Sequence, residues 1–272
     1  MNDYLISLLL GVIEGVTEFL PVSSTAHLRI TEALLGIDLQ NGYWKMFSIV
    51  IQLGAILALP VFFRARILKF LSTFPRGERG DRNLITHPLS LVMIAFVVTA
   101  GPAFILKKVI HANLENLSVM AWALLIGGVV MWVVDAVCRH PRIERMEAVN
   151  LPRAVWIGAM QILSAVFPGT SRSMATIAAG QVVGLSRSAA LEFSFFLSMP
   201  TMVVATCYEF YKTVLSKHSD LGVVTMDAHN WILLAIGFAV SFIVALGVVA
   251  WFMNWVRTRG FVPFAIYRIV IG

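Results

Sequence analysis

Residues 14–27 read EGVTEFLPVSSTAH, a cluster of polar groups inside an otherwise apolar stretch. Glu14 and Glu18 are four residues apart, so a helix would place both carboxylates on one face. Pro21 ends or kinks that helix, because proline removes a backbone hydrogen bond and clashes with the preceding turn. The stretch therefore predicts a helix that breaks at its middle.

The hydroxyl groups that follow the proline stand where a second short helix would begin. Ser23, Ser24 and Thr25 come first, and His27 falls in the first turn of that helix. A helix N-terminus offers free N–H groups and the positive end of a dipole, which favour a bound anion. Ionisable groups at membrane depth are costly and usually functional. We therefore interpret the stretch as half of an active site.

The composition is that of a membrane protein with many spans. Of 272 residues, 58% are hydrophobic and 13% are charged, against about 25% charged in soluble domains. The net charge of +6 lies mostly in short loops, which is a topology signal and argues against nucleic acid as a partner. Apolar runs of spanning length are predicted at 44–63, 89–110, 118–138, 190–212 and 230–256.

A sixth apolar stretch, 261–272, has twelve residues. A helix of that length covers about 18 Å, less than the roughly 30 Å of a hydrocarbon core. It is expected to be a truncated last helix or to need partners that bury its end, and truncation is favoured. Tyr267 and Arg268 in this stretch are weaker candidates for the site, and interfacial anchoring is the plain alternative for them.

Positive charges orient the spans. The loops 64–88, 139–153 and 257–260 are rich in Lys and Arg and are expected to face the cytoplasm. The spans between them then alternate only if regions 4–37 and 152–187 each enter and leave on one side. Both regions are predicted to be re-entrant helix–loop–helix hairpins that insert from opposite faces of the membrane.

The two hairpin regions resemble each other in sequence. With Gly11 placed opposite Gly158, Glu14 falls opposite Gln161 and Ser24 opposite Ser171, and the prolines coincide. Opposite insertion and weak similarity are typical of an inverted-topology repeat with a site between the halves. The predicted fold is an all-α integral membrane protein of about six transmembrane helices. It forms one domain, 1–272, with repeat halves of about 1–110 and 118–272.

The second hairpin supplies the complementary charge. Residues 168–176 read PGTSRSMAT, in which Arg172 provides a planar fork that suits phosphate. Its depth in an apolar helix argues against an arginine that snorkels to the surface. The groups expected to bind phosphate are Gly169, Ser171, Ser173 and Thr176 here, Ser23 and Thr25 in the first hairpin, and Gln52 in a span.

Two carboxylates, an arginine and helix N-termini together predict a phosphoanhydride held with a divalent cation. Carboxylate and phosphate oxygens are the ligands that Mg²⁺ and Ca²⁺ prefer, and Glu14 and Glu18 are the candidate metal ligands. In the predicted mechanism Ser24 is the nucleophile and His27 the general base and then acid. Two rival assignments stay open: His27 as nucleophile, or water activated directly by Glu18.

At this point the chain resembles a known family, the bacterial undecaprenyl-diphosphate phosphatases of bacitracin resistance. EGVTEFLPVSSTAH and PGTSRSMAT look like the two signature segments of that family, and IQLGAILA (51–58), LEFSFFLSMP (191–200) and FVPFAIYRIV (261–270) resemble further segments. The resemblance runs over the whole chain. Ala26 and Met174 depart from it, because each stands where the family usually has glycine.

The resemblance implies an enzyme of the bacterial inner membrane that hydrolyses undecaprenyl diphosphate and recycles the lipid carrier for cell-wall synthesis. It implies an active site open to the periplasm, with Glu18, Ser24, His27 and Arg172 as the catalytic groups. Substrate and membrane lipid are the expected partners, and the sequence leaves room for a homo-oligomer. The alternative function is a transporter or flippase for a phosphorylated lipid, since inverted repeats with broken helices are typical of transporters.

Overall fold

The protein is helical throughout the ranges that the computed structural model describes, which are residues 2–113, 116–211 and 226–272. No strand forms within those ranges, and a lone β-bridge joins Ile143 to Leu185. In chain order the helices are α1 (Asp3–Thr17), α2 (Ser24–Leu34), α3 (Gly42–Ile56), α4 (Ala58–Phe62), α5 (Arg64–Thr73), α6 (Pro88–Ile105), α7 (Lys107–Asn113), α8 (Leu117–Val137), α9 (Leu151–Val166), α10 (Arg172–Val182), α11 (Arg187–Phe210), α12 (Ala228–Arg259) and α13 (Val262–Ile271).

Five segments are long and apolar enough to cross a membrane: α3 with α4, then α6, α8, α11 and α12. They coincide with the five predicted spans, which are confirmed. The predicted loop 64–88 differs from expectation, because its residues 64–73 form α5. Phe70 of that helix is buried against the core, which holds the helix in place. Most of the segment between the fourth and fifth predicted spans lies outside the described residues.

Both predicted hairpin regions contain a broken helix. In the first, α1 ends at Thr17 and α2 begins after the N-cap Ser23; in the second, α9 ends at Val166 and α10 begins after the N-cap Ser171. The two caps share an unusual backbone, with φ of 73° at Ser23 and 69° at Ser171.

This shared backbone corrects the alignment of the two regions by one residue. Ser171 corresponds to Ser23 rather than to Ser24, because the second break has one more residue between its proline and its N-cap. Ser24 therefore corresponds to Arg172, and each is the first residue of its second half-helix.

The first half-helices are held by close packing at the two aligned glycines. α1 packs along α12, and a Cβ added at Gly11 would meet the carbonyl oxygen of Gly237 at 2.8 Å. α9 packs along α6, and a Cβ added at Gly158 would meet Cα of Ala95 at 2.8 Å. Any side chain at these positions would push the helices apart, so the glycines fix where each broken helix sits.

The short helix α13 lies against α8. A Cβ added at Gly128 of α8 would meet the carbonyl oxygen of Ala265 at 2.8 Å, so the two backbones touch. The N-terminal end of α13 is tied down by Asp135 of α8, which accepts a hydrogen bond of 3.1 Å from the backbone N–H of Phe261. α13 thereby brings its last turns to the middle of the molecule.

Candidate functional site

A cavity of about 230 Å³ lies where α3, α6, α9 and α11 surround the two helix breaks. Its wall contains Glu18, Ser23, Ser24, Thr25, Gln52, Gly169, Ser171 and Arg172, all of them predicted site residues. Both breaks contribute hydroxyls, and the second contributes the arginine. The structure thus brings together most of the groups that the sequence placed in one site.

Glu18 lies at the centre of this arrangement. The Ser24 hydroxyl donates a 2.6 Å hydrogen bond to Oε2 of Glu18, and Nη2 of Arg172 donates to Oε1. Nη1 of Arg172 is buried and has no hydrogen-bond partner. One carboxylate therefore links the hydroxyl of the first break to the guanidinium of the second. The N–H groups on Nη1 of that guanidinium remain available to a ligand.

The local fold explains why Ser24 and Arg172 both reach Glu18. Ser23 accepts a hydrogen bond from Ala26 N at 3.4 Å and Ser171 accepts one from Met174 N at 3.3 Å, so each serine caps a half-helix. Left-handed backbone costs a residue other than glycine roughly 1–2 kcal/mol. Strain of that kind persists at sites where the surroundings fix the geometry, and here it aims two helix N-termini at one cavity.

Glu14 lies next to the cavity but does not line it. Its side chain is fully buried, neither carboxylate oxygen has a hydrogen-bond donor, and its charge interacts with those of Glu18 and Arg172. A buried carboxylate without a donor needs a proton or a cation. Among the described residues, however, no three His, Cys, Asp or Glu side chains come together as a metal cluster. Within the described ranges, the groups available to a cation are therefore the predicted pair, Glu14 and Glu18.

His27 points away from the cavity. Its Nδ1 lies 2.8 Å from the carbonyl oxygen of Ser23 and its Nε2 lies 2.7 Å from the Tyr267 hydroxyl, with the two rings stacked. Because a carbonyl oxygen only accepts, Nδ1 must carry the hydrogen, and in neutral imidazole Nε2 then accepts from Tyr267. The structure does not place His27 in hydrogen-bond contact with Ser24.

Ser173 and Thr176 lie behind the wall of the cavity. Ser173 donates a 3.0 Å hydrogen bond to the carbonyl oxygen of Leu20, and the Thr176 hydroxyl lies 2.6 Å from that of Ser194. The first contact joins the two breaks and the second fixes α10 to α11. Both hydroxyls are therefore already bound to protein groups rather than free in the cavity.

Four polar cavity residues were missed by the sequence reasoning: Thr99, Gln161, Ser164 and Thr201. Nε2 of Gln161 donates to the Thr201 hydroxyl at 3.2 Å, and Oε1 of Gln161 is buried without a partner. The alignment offered a signal for this residue, because Gln161 stands opposite Glu14. Thr99 and Thr201 carry only the weaker signal of a hydroxyl in the middle of an apolar span.

Interfacial anchoring, the plain alternative for Arg268, is wrong. Its side chain is 0% exposed, because α13 packs inward on α8 instead of lying at a membrane surface. Its neighbour Tyr267 is turned toward His27. A tyrosine–arginine pair near the end of an apolar helix gives the same sequence pattern at a membrane surface and in a packed interior. Only the packing of the helix distinguishes these two environments.

The two residues that replace glycine leave the polar site intact. Ala26 is fully buried, and Met174 lies in an apolar groove of about 640 Å³ formed by α8, α9 and α10 on the other side of the second break. Neither side chain lines the polar cavity. The groove is walled almost wholly by apolar side chains, whereas the smaller cavity is lined by the groups predicted to bind phosphate.

The chain is similar to known proteins over nearly its whole length. A relative named undecaprenyl-diphosphatase from Koribacter versatilis (strain Ellin345) is 65% identical over 278 residues, which cover 100% of this chain and 96% of the relative. Proteins of the same name from Bradyrhizobium sp. (strain BTAi1) and Caldanaerobacter subterraneus are 42% and 40% identical, over 100% and 97% of this chain and 96% and 92% of the relatives. The sequence profile of the family described as bacitracin resistance protein BacA matches residues 7–272. The chain therefore belongs to the bacitracin resistance protein BacA family.

Proposed function

We propose that this protein hydrolyses undecaprenyl diphosphate to undecaprenyl phosphate and inorganic phosphate, which recycles the lipid carrier for cell-wall synthesis and confers bacitracin resistance. The relatives that match over nearly their full length are named for this activity. The observation that carries the proposal is the carboxylate of Glu18, which contacts a serine hydroxyl and an arginine from two different helix breaks. One cavity thus holds a candidate nucleophile (Ser24), a candidate proton acceptor (Glu18) and a positively charged side chain that suits phosphate (Arg172).

In the proposed reaction Ser24 attacks the terminal phosphorus of the diphosphate. Its proton passes to Glu18, whose Oε2 already accepts the hydroxyl at 2.6 Å. The bond between the terminal phosphorus and the bridging oxygen breaks, and undecaprenyl phosphate leaves with the electron pair and with the proton that Glu18 took from Ser24, so Glu18 is again a carboxylate. Water then gives a proton to this carboxylate and attacks the phosphorus, the bond between phosphorus and Oγ of Ser24 breaks, and Glu18 returns the proton to Oγ as inorganic phosphate leaves.

Arg172 links substrate binding to this proton transfer. Its Nη2 contacts Glu18, and its Nη1 has no partner. A diphosphate competes with the carboxylate for the guanidinium, because phosphate accepts a bidentate pair of hydrogen bonds. Glu18 then keeps its hydrogen bond to Ser24 while the guanidinium turns to the phosphate, so substrate binding and proton transfer use the same three groups.

His27 receives a different role from the one expected of the residue beside a nucleophile. Both ring nitrogens are engaged, one with Ser23 and the other with Tyr267. We propose that His27 fixes the strained N-cap next to Ser24, and that Glu18 acts as the base. Attack by His27 itself, the rival assignment, would require the ring to leave both partners and turn toward the cavity.

A divalent cation stays part of the proposal. The orphaned oxygens of Glu14 fit a cation, and Glu18 beside it would share the ion. When bound, Mg²⁺ or Ca²⁺ would neutralise phosphate charge. With two protein carboxylates available, the remaining ligands would be phosphate and water oxygens.

We further propose that the two broken helices are re-entrant hairpins of an inverted repeat in the inner membrane, with the cavity open to the periplasm. Supporting this, α1 packs on α12, the last long helix of the second half, while α9 packs on α6 of the first half. The basic loops 64–88 and 139–153 support a cytoplasmic side opposite the cavity mouth. An oligomer is neither required nor opposed by this arrangement.

The test is phosphate release by purified protein in detergent with undecaprenyl diphosphate as substrate. The wild type should release inorganic phosphate, and Ser24→Ala and Arg172→Lys should not do so above background. Arg172→Lys keeps the charge but loses the planar fork. A folded wild type that binds the lipid but releases no phosphate would refute the proposal, and movement of the labelled lipid across vesicles would then favour the flippase alternative.

A further inference from the structure

We propose that Arg268 is a positioning residue that holds the two helix breaks in register, so that Ser24 and Arg172 act on the same diphosphate. The inference rests on the proposed phosphatase function. It concerns a residue that does not line the cavity and that contacts no side chain of the catalytic group.

The guanidinium of Arg268 joins both breaks directly. Nη1 donates a 3.0 Å hydrogen bond to the carbonyl oxygen of Pro21, and Nη2 donates a 3.0 Å hydrogen bond to that of Gly169. Pro21 stands three residues before Ser24, and Gly169 stands three residues before Arg172. One rigid planar group thus holds the corresponding points of both breaks.

A third bond anchors this clamp to the surrounding helices. Nη2 also donates at 3.0 Å to the carbonyl oxygen of Ala123 on α8, the helix against which α13 packs. The position of Arg268 is therefore set by two helices that lie outside the breaks. The clamp fixes each break against the scaffold as well as against the other break.

The burial of Arg268 argues for a specific role. Its side chain is fully buried, and no carboxylate in the described part of the chain forms an ion pair with it. A charge buried with carbonyl partners alone is costly, and an apolar residue would pack α13 on α8 at lower cost. Two of the three carbonyl groups that it satisfies, those of Pro21 and Gly169, lie in the breaks, outside any helix.

The neighbouring glycines provide the space for this group. A Cβ added at Gly127 of α8 would collide with Nη2 of Arg268, so the guanidinium occupies room that any side chain there would fill. Gly169 has a φ of 97°, which turns its carbonyl group in a way that side-chain-bearing residues rarely adopt. The sequence of each break and of α8 is thus adapted to the arginine.

The geometry defines what loss of the clamp would do. The nucleophile lies on one break and the phosphate-binding arginine on the other, so any relative shift misaligns them. A misplacement of about 1 Å can lower the rate about 100-fold. Binding should change less, because either break alone still offers an N-terminus and polar groups to the phosphate.

The experiment compares kcat and KM for phosphate release among folded variants, with unfolding temperature and size-exclusion profile as the measures of folding. Arg268→Ala should lower kcat about 100-fold and change KM by less than about threefold. Arg268→Lys should be nearly as slow, because one ammonium cannot replace the fork. Millimolar guanidinium should restore part of the kcat of Arg268→Ala by filling the vacated space.

Arg66→Ala is the matched control. Arg66 pairs with Glu147 and Glu192, and it lies away from the cavity and from α13. This variant should lose stability but keep kcat within about threefold. If Arg268→Ala does not fold, Gly127→Ala replaces it, because the added Cβ displaces the guanidinium while Arg268 is retained; its kcat should fall.

The inference is overturned if folded Arg268→Ala keeps kcat within about threefold of wild type, or if its kcat falls but guanidinium restores none of it. Full activity of Gly127→Ala likewise overturns it. A wild type that releases no phosphate is a separate outcome, since that result refutes the proposed function rather than the role of Arg268.

Discussion

Replacing Glu18 with glutamine tests the proposed division of labour in the cavity. Glutamine has nearly the same shape, and its one carbonyl oxygen can still accept from Ser24 or from Arg172, which contact different oxygens of Glu18. It cannot take up a proton at neutral pH. The substitution therefore removes the base while it preserves most of the geometry.

Glu18→Gln should affect both the rate and the stability, and the contacts of Glu18 indicate the size of each effect. Loss of a positioned general base costs about 10²–10⁴-fold in rate, which corresponds to about 3–5 kcal/mol in the barrier. Removing the charge also leaves Arg172 without its ion-pair partner, which costs about 3–5 kcal/mol of stability when such a pair is buried. Glu14, which also interacts with Arg172, should reduce this second cost.

The assay measures phosphate release and the midpoint of thermal unfolding in the same detergent. We expect kcat of Glu18→Gln to fall by at least about 100-fold with the unfolding midpoint lowered only modestly. The control Gln52→Glu adds a carboxylate to the same cavity wall and should not rescue Glu18→Gln. If Glu18→Gln keeps kcat within about tenfold of wild type, Glu18 is not the base and the reasoning fails.

Three further predictions follow from individual contacts. Glu14→Gln should remove any dependence of activity on divalent cations, as measured by titration with a chelator, whereas wild-type activity that is insensitive to chelator would contradict a cation at Glu14. His27→Asn, whose amide can still donate to Ser23, should retain at least about tenfold more activity than His27→Ala, and equal losses would contradict a positioning role. Burial lowers the pKa of His87 from its usual 6.5, and its Nδ1 accepts a hydrogen bond from Leu89 N. The folded protein then binds fewer protons than the unfolded chain, so the unfolding temperature should decline as the pH falls below 6.5. His87→Asn keeps a side chain that can cap the helix and should flatten that decline. An unchanged dependence of the unfolding temperature on pH in His87→Asn would contradict the role of His87.

The spans and the two helix breaks could be predicted because each leaves a local signal. Apolar runs of spanning length, flanked by arginines, marked the five long helices, and the prolines followed by serines marked the breaks. The alignment was one residue out after the prolines, since a single extra residue in the second break leaves no periodic signal. Only the capping geometry of Ser23 and Ser171 reveals it.

The sequence predicted which residues form the site better than it predicted which of them touch. Charge and residue type identified Glu18, Ser24 and Arg172, because polar groups are rare at membrane depth. Which of them touch depends on packing between helices that are distant in sequence. The partners of His27 and the inward orientation of Arg268 follow from the docking of α13 on α8, which no local pattern encodes.

The most direct test of the central claim is to locate the phosphate on the enzyme during turnover. Protein mixed with diphosphate labelled in its terminal phosphate is quenched in acid or in alkali within milliseconds and mapped by mass spectrometry. The account predicts an acid-stable phosphate on the peptide that contains Ser24, lost in Ser24→Ala. An acid-labile, alkali-stable phosphate on His27, or turnover without any covalent phosphate, would contradict it.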